Sequence, residues 1–303
     1  MKRKKNTTII FGLSAVFLAL PFLTSALTVG PIKLEYSANP GDTISGTLFL
    51  MNEESETRTF YPVFEKFTEN NGERQFFPSE ASDLAEWFKS TPSVTLKPQE
   101  QKTLPFAINV PKNASPGGHY AVIWWSTAPA NSKSSEQVAI VTRAGILVYL
   151  RVSGDIKESG EIADFSTNNN KSFFWGLPVN FNVLFKNNGN VHLKPQGEIK
   201  IKNLFGMTET VLPVNPYGLI ALPQSEKGIS AKWESGFVFG PYQAQLQLAY
   251  GENKTQIAKN IWIFVTPIKT LIAVIIALLL ITFGIPRGIR KYNQWIIKRA
   301  AKQ

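Results

Sequence analysis

The chain has only two histidines, and these are the first candidates for metal-binding or catalytic residues. His119 follows two glycines in "SPGGHYAVIWWS", and His192 follows the turn "NNGN" much further along. A zinc site usually needs three or four His, Cys or carboxylate ligands, and the chain has no cysteine. Both histidines are therefore interpreted as turn residues, and we expect no metal and no cofactor.

The remaining polar residues give no sign of a catalytic centre. Serines are numerous, but two histidines in separate parts of the chain leave little from which to build a Ser-His-Asp set. Carboxylates cluster in predicted turns such as "NEESE", where they are usually solvated, and no flanking motif marks an acid/base pair. "SPGGH" lacks the lysine and the strand-to-helix context of a phosphate loop. We predict that the protein is not an enzyme.

The adjacent tryptophans of "HYAVIWWS" raise the question of a binding surface. In a strand, side chains alternate, so Tyr120, Val122 and Trp124 face one way and Trp125 faces the other. We expect Trp124 in the core. Trp125 must then be covered by a helix, by a second domain, by a partner, or by a flat sugar ring stacked on its indole. Trp125 and nearby His119 are the first candidate binding residues.

A second aromatic cluster follows the polar run "STNNN". Phe173, Phe174 and Trp175 form a candidate contact surface, or else a strand that closes the base of a second sandwich near the joint between domains. The residues alone leave both interpretations open.

These candidates lie on short alternating or aromatic-rich segments separated by Pro, Gly, Asn and Asp, a pattern typical of all-β proteins. Seven strands are predicted between "IKLEYS" and "VAIVTRAGILVYLRV", with one short helix in "ASDLAEWF". Eight more follow from "EIADF" to "TQIAKNIWIFV", and "KNNGN" between two of them is the strongest hairpin signal. The fold class is predicted as two tandem immunoglobulin-like β-sandwiches.

A tyrosine recurs at the same place in both sets. Tyr120 and Tyr242 each follow Pro and Gly closely and open the next-to-last strand of their set. In immunoglobulin-like sandwiches such a tyrosine often forms a corner, with its hydroxyl bonded to nearby backbone. We expect structural tyrosine corners at both positions.

The two ends of the chain carry localisation signals. Basic residues 2–5, an apolar run and "TSA" predict a signal peptide over residues 1–26, with an uncleaved anchor as the alternative. The predicted order continues with a first sandwich (27–153), a second sandwich (154–266), one transmembrane helix (267–286) and a basic cytoplasmic tail (287–303). The tail has no acidic residue, so the positive-inside rule places it in the cytoplasm and the body outside. We therefore expect a single-pass protein of a bacterial plasma membrane whose lipid contact is this helix.

Charge and cysteine content exclude other classes of protein. Leader and tail together account for the whole formal net charge of +10, so the body is formally neutral and a nucleic-acid partner is not expected. The absence of cysteine excludes disulfides and a thiol nucleophile. An exported fold without disulfides fits a bacterial surface better than a eukaryotic ectodomain.

The chain resembles the WxL-interacting protein family of Gram-positive cell surfaces. The resemblance is carried by "YSANPGDTISGTLFLMN" and "VPKNASPGGHYAVIWW" in the first set, "FKNNGNVHLKPQGEI" in the second, and the order of leader, span and basic tail. It implies a non-catalytic, membrane-anchored surface protein that binds peptidoglycan and WxL-domain proteins and tethers them at the wall. It assigns no single contact residue.

An alternative function of a different class is an assembly factor for surface structures. Pilus chaperones also use two immunoglobulin-like domains, and they hold their clients by strand addition. A long unpaired edge strand would favour this alternative.

Overall fold

The computed structural model describes residues 27–300 except 71, 79–83, 130–140, 235 and 237. The predicted signal peptide and the first residues of the predicted strand "VAIVTRAGILVYLRV" lie outside the described residues. The body is built of strands, with one long helical stretch at its C-terminal end, so the all-β class is confirmed.

The first ten strands and a short helix, α1 (Leu84–Trp87), form one β-sandwich. In chain order the strands are β1 (Leu27–Gly30), β2 (Lys33–Ala38), β3 (Thr43–Asn52), β4 (Arg58–Asn70), β5 (Glu73–Pro78), β6 (Phe88–Ser90), β7 (Val94–Leu96), β8 (Gln101–Asn109), β9 (Gly117–Ser126) and β10 (Arg143–Val152). One sheet has the order β1-β3-β8-β6, and the other has β2-β10-β9-β4-β5 with β7 paired to β4. The predicted short helix is confirmed at α1, whereas β1, β5 and β6 were not predicted.

The remaining strands form a second sandwich with its own core. They are β11 (Gly160–Thr167), β12 (Phe173–Phe174), β13 (Val179–Asn187), β14 (Gln196–Asn203), β15 (Thr208–Val214), β16 (Glu226–Trp233), β17 (Gly240–Tyr250) and β18 (Thr255–Val265). One sheet has the order β11-β13-β16, and the other has β12-β18-β17-β14-β15.

Strict alternation explains why these segments are strands. Along β13, Val179, Phe181, Val183 and Phe185 are all buried, and the residues between them are not. A period of two places every second side chain on one face, and full burial of each large apolar side chain contributes about 1.5–3 kcal/mol. The opposing sheet supplies the other half of the core through the alternate residues of β17.

The turn "KNNGN" does not form the predicted hairpin. β13 ends at Asn187 and pairs with β11 and β16, while the next strand, β14, belongs to the opposite sheet. The Asn187 side chain bonds the carbonyls of Val191 and Ala221, 2.8 and 2.9 Å away, and so holds the chain as it crosses between sheets. The sequence signal marks a turn correctly, but the predicted second strand, "VHLKP", makes only an isolated bridge between Leu193 and Ala221, so no hairpin forms.

A helical stretch follows β18 after two residues. It comprises α2 (Ile268–Leu279), one π-helical turn (Leu280–Gly284) and α3 (Ile285–Ala300). Within it, Leu271–Gln294 is long and apolar enough to cross a bilayer.

Candidate binding site at the domain joint and the aromatic face

The motifs "SPGGH" and "NNGN", far apart in sequence, meet at the joint between the two sandwiches. The Gly118 N–H donates to the Asn190 carbonyl at 2.8 Å. Gly117 has φ = 126°, and a Cβ there would lie 2.8 Å from the same carbonyl oxygen. The glycine pair therefore allows the backbones of the two domains to come into direct contact.

Asn190 also fixes the segment that links the domains. Its side chain accepts from the Lys157 N–H and donates to the Asp155 carbonyl, both at 2.8 Å. A Cβ on Gly189 would lie 2.1 Å from the Lys157 carbonyl oxygen. The polar connection is thus held at Asp155 and Lys157 by the Asn190 side chain and by the close approach of Gly189.

Apolar side chains seal the joint. Ile220 and Leu222 of the second domain pack on Phe67, Val122 and Tyr149 of the first. These first-domain residues lie on the outer face of the sheet β2-β10-β9-β4-β5, on the side away from the core. The second domain therefore covers part of an aromatic face that would otherwise meet water.

His192 and Tyr120 lie against each other within this interface. The Tyr120 hydroxyl is 3.5 Å from His192 Nδ1, and the rings are edge to face. Burial lowers the pKa of His192 to about 4 and raises the pKa of Tyr120 well above its usual value. Both side chains are neutral at pH 7. His192 is an interdomain packing residue rather than the predicted turn residue.

Charged pairs cross the same joint. Lys227 donates to Glu69 at 2.6 Å, and both side chains are largely buried. Lys194 also reaches across to Glu35; burial raises the pKa of Glu35, but its bonds to Lys194 and to Lys33 of its own domain hold that pKa below the usual value. A buried, correctly placed pair fixes one relative placement of its partners, because any other leaves a charge unpaired.

The structure places the two tryptophans the opposite way from the prediction. Trp125 is 0 % exposed and belongs to the core of the first sandwich, so it cannot stack on a sugar. Trp124 is the half-buried member of the pair, on the outer face with Tyr120 and Val122. The alternation was predicted correctly, but the buried face was not, because both faces of β9 carry large apolar residues.

Trp124 continues the aromatic face beyond the second domain. Its ring packs edge to face on Phe76 of β5, with ring centres 5.1 Å apart. Its indole N–H donates to Glu65 at 2.7 Å, and the Arg143 guanidinium lies 5.7 Å from the ring centre. A Cβ on Gly145 would come within 2.5 Å of the indole, so glycine is needed beneath the ring. We call Trp124, Phe76, Glu65 and Arg143 the aromatic platform.

β5 forms the open edge beside this platform. Among the described residues it pairs with β4 alone, and all six of its residues are exposed. Phe76 and Phe77 are 39 % and 43 % exposed. Sequence reasoning missed this strand, although the turn "ENNGER" followed by "QFFP" is the hairpin signal that would have found it. An exposed edge of this kind offers a row of unpaired backbone groups.

His119 lies outside the platform. Its Nε2 is 2.9 Å from the Ser115 carbonyl oxygen, and its ring is 4.7 Å from that of Trp87. The two rings line a polar cleft of about 520 Å³. Among the described residues there is no group of three or more metal-ligating side chains.

The two tyrosines predicted to form corners differ. The Tyr242 hydroxyl accepts a hydrogen bond from the Phe239 N–H, three residues upstream, at 3.1 Å. That is the geometry of a tyrosine corner. The Tyr120 hydroxyl instead faces His192 of the second domain.

The cluster Phe173, Phe174 and Trp175 lies at the end of the second sandwich away from the joint. β12 pairs in parallel with the last two residues of β18, next to the helix. Phe174 packs against the core, whereas Phe173 and Trp175 are exposed. Phe174 therefore closes the base of the second sandwich, at the end away from the joint and not near it as predicted, while a contact role for Phe173 and Trp175 stays a prediction.

Comparison with known proteins finds no matching family model and no matching curated protein. Among solved structures, the chain is similar to the class 5 fimbriae chaperone CfaA, with 13% identity over 77% of this chain and 98% of that one, and a TM-score of 0.41. It is also similar to the chaperone DraB of E. coli, with 14% identity over 78% and 98% of the two chains and a TM-score of 0.36. The chaperone CupB2 of Pseudomonas aeruginosa gives 11% identity over 78% and 100%, with a TM-score of 0.36.

These comparisons correct the predicted function. The proteins found are named as chaperones, and none of the three is named as a binder of peptidoglycan or of WxL-domain proteins. The prediction that the chain tethers those two partners at the wall is therefore wrong. The resemblance to the WxL-interacting family matches no family model and stays a prediction.

Proposed function

We propose that the protein is a non-catalytic, membrane-anchored assembly factor that binds an extended segment of an exported protein by strand addition to β5. Its two sandwiches are of the immunoglobulin-like type, residues 1–26 act as the signal peptide, and the C-terminal helix is the single-pass anchor. The client is a subunit of a surface structure.

The open edge of β5 carries the proposal. Within the part of the chain that the structure describes, no strand pairs with the outer side of these six residues, and the strand has no proline before Pro78. Natural proteins usually protect such edges with charges, proline, bulges or a covering element; in β5 the charges are Glu73 and Arg74 and the proline is Pro78, which leaves Gln75, Phe76 and Phe77 between them. An added strand would satisfy the free N–H and C=O groups and extend the sheet β2-β10-β9-β4-β5 by one member.

The aromatic platform supplies side-chain specificity to the added strand. Side chains of the new strand that point to the outer face would lie next to Phe76, with Trp124 behind it. Arg143 and Glu65 are fixed around the indole and offer one positive and one negative group at the rim. We therefore expect a client segment of alternating pattern, with apolar or aromatic residues toward the platform.

The fixed joint supports this function. A binding face that is partly covered by the second domain keeps its shape only if the domains keep their placement. The contacts of Gly118 with Asn190 and of Lys227 with Glu69 maintain it. A preorganised face loses less entropy when a client binds.

Site-specific photocrosslinking in the source cells tests the proposal. A photoreactive residue replaces Gln75 on β5 in the full chain, and the matched control replaces Val211, an exposed residue of the edge strand β15. We expect a crosslinked exported protein at position 75 and none at 211, with the crosslinked peptide showing alternating apolar residues. Slowed amide exchange of β5 in the purified complex identifies strand addition.

Two results would overturn the proposal. Equal crosslinking at positions 75 and 211 would mean nonspecific contact. A specific complex in which the amide exchange of β5 stays unchanged would place the client on another surface, and the assembly role would lose its mechanism.

A further inference from the structure

The end of the second sandwich nearest the helix is apolar to an unusual degree. Phe205 is 83 % exposed and Trp175 is 64 % exposed, and six further large apolar side chains are also exposed there. The whole set, called here the basal apolar end, is Phe173, Trp175, Leu204, Phe205, Met207, Phe239, Trp262 and Phe264. Exposed apolar side chains in such number on one surface mark an interaction site.

Strand register shows that these residues lie at one level. Asn203 at the end of β14 pairs with Tyr242 of β17, which pairs with Ile263 of β18. Because β14 and β18 run in the same direction, the hairpin residues 204–207 extend past this level toward the end at which β18 finishes.

The other members reach the same level from neighbouring strands. Phe173 pairs with Phe264, and their rings are stacked with centres 5.4 Å apart. Phe239 immediately precedes Gly240, which pairs with Val265, the last residue of β18. Trp175 follows Phe174, whose carbonyl accepts from the Thr266 N–H at 2.8 Å. All of them therefore surround the point at which the chain leaves the sandwich for the helix.

The connection between the second sandwich and the helix is very short. β18 ends at Val265 and α2 begins at Ile268, so only Thr266 and Pro267 lie between them. Two residues span at most about 7 Å. If the helix crosses the bilayer, the basal apolar end has to lie at the level of the lipid headgroups.

We infer that the basal apolar end docks into the headgroup region of the bilayer that the helix spans, and so seats the second sandwich on the membrane. The inference rests on the anchoring part of the proposed function. Tryptophan is enriched at this depth, where one side is apolar and the other is wet, and phenylalanine and leucine side chains of interfacial segments insert at the headgroup–acyl boundary. Continuity with the helix selects lipid as the occupant over a second protein.

The absence of cysteine makes the inference directly testable. A single nitroxide label is placed by Phe205→Cys in the full chain, reconstituted into phosphatidylcholine vesicles with and without phosphatidylglycerol. Collision of the label with oxygen, which concentrates in lipid, is compared with collision with a water-soluble nickel chelate. Lys254→Cys, in the turn at the opposite end of the sandwich, is the matched control, and Thr282→Cys reports on the helix itself.

We expect the label at 205 to collide severalfold more with oxygen and less with nickel than the label at 254, in both lipid compositions. Met207→Cys gives a second position on the same hairpin, should the label at 205 perturb folding. The label at 282 is expected to be deepest.

The outcomes separate the two proposals. If 282 lies in lipid while 205 and 207 are as water-accessible as 254, the anchor stands and the docking is refuted. If 282 is itself in water, the anchoring proposal fails first. If 205 is shielded from both reagents and shows a spin–spin distance to a second chain, the surface is a dimer contact and the inference is wrong.

Discussion

The most specific prediction from the geometry of the domain joint concerns the substitution of Gly118. A Cβ built on Gly118 would lie 1.8 Å from the Tyr120 hydroxyl oxygen and 2.5 Å from the adjoining ring carbon. Tyr120 is itself packed between Phe67, Tyr149 and His192. Gly118→Ala therefore forces a half-buried ring to move against three neighbours, and overpacking of this kind costs about 1–3 kcal/mol.

Gly228 is the matched control. It also lies in a strand, but nothing lies within 4 Å of a Cβ built there. Gly228→Ala removes freedom from the unfolded chain and is expected to stabilise the protein by about 0.4–1 kcal/mol. The two variants make the same chemical change, so the difference between them measures the crowding at Gly118.

Unfolding of the full chain in detergent, followed by tryptophan fluorescence in urea and on heating, measures both variants. For Gly118→Ala we expect a loss of about 2 kcal/mol, which for a protein of this size lowers the Tm by roughly 4–8 °C. Adding Tyr120→Phe removes the 1.8 Å contact but keeps the 2.5 Å one, so it should restore part of the loss. Equal midpoints for Gly118→Ala and Gly228→Ala would refute the description of the joint.

Three further predictions follow from burial. Trp125→Ala should destabilise the first sandwich by about 3–5 kcal/mol, whereas Trp124→Ala should cost clearly less and instead weaken client binding; urea midpoints and crosslinking yield separate the two effects. Because burial lowers the folded-state pKa of His192 to about 4 from an unfolded value of 6.5, the unfolded chain binds the extra proton between these values. The free energy of unfolding is therefore highest above pH 6.5 and falls by up to about 3 kcal/mol as the pH drops to 4. His192→Gln should flatten the dependence of this free energy on pH in that range. An unchanged dependence would contradict the description of His192 as a buried neutral residue. Lys227→Met alone leaves Glu69 buried without its partner and should cost about 3–5 kcal/mol, while adding Glu69→Leu should recover most of the loss; if the double variant is as unstable as the single one, the pair does not act as a unit.

Much of the fold follows from the local sequence pattern. The remaining parts are decided by contacts between residues that are far apart in the sequence. The alternation of β13 and β17 fixes both strands and their buried faces, because only one face of each is consistently apolar. β9 is different, since Tyr120, Val122 and Trp124 on one face are as bulky as Ile123 and Trp125 on the other. Which face becomes core is decided by the opposing sheet and by the second domain, and neither is visible in a window of ten residues.

The candidate site also has features that the local sequence predicts and features that depend on distant residues. "SPGGH" and "NNGN" were recognisable as special turns, but their contact across 73 residues, from Gly117 to Asn190, depends on the placement of two whole domains. β5 was predictable from its turn and was missed because "ERQFFP" has two charges and a proline that weaken its strand signal. The apolar hairpin at Phe205 carries no local signal for a membrane; its meaning comes from register with the strand that enters the helix.

The pairing of β18 determines how the molecule would carry a mechanical load. All eleven residues of β18 pair with β17, and the strand passes through Thr266 and Pro267 directly into the helix. A client pulled away from the membrane would pull β18 along its own axis. The backbone hydrogen bonds between β17 and β18 would then be loaded together in shear instead of breaking one at a time. β18 would then carry the force between the client and the membrane, and the second sandwich would unfold only when all of the β17–β18 hydrogen bonds break together.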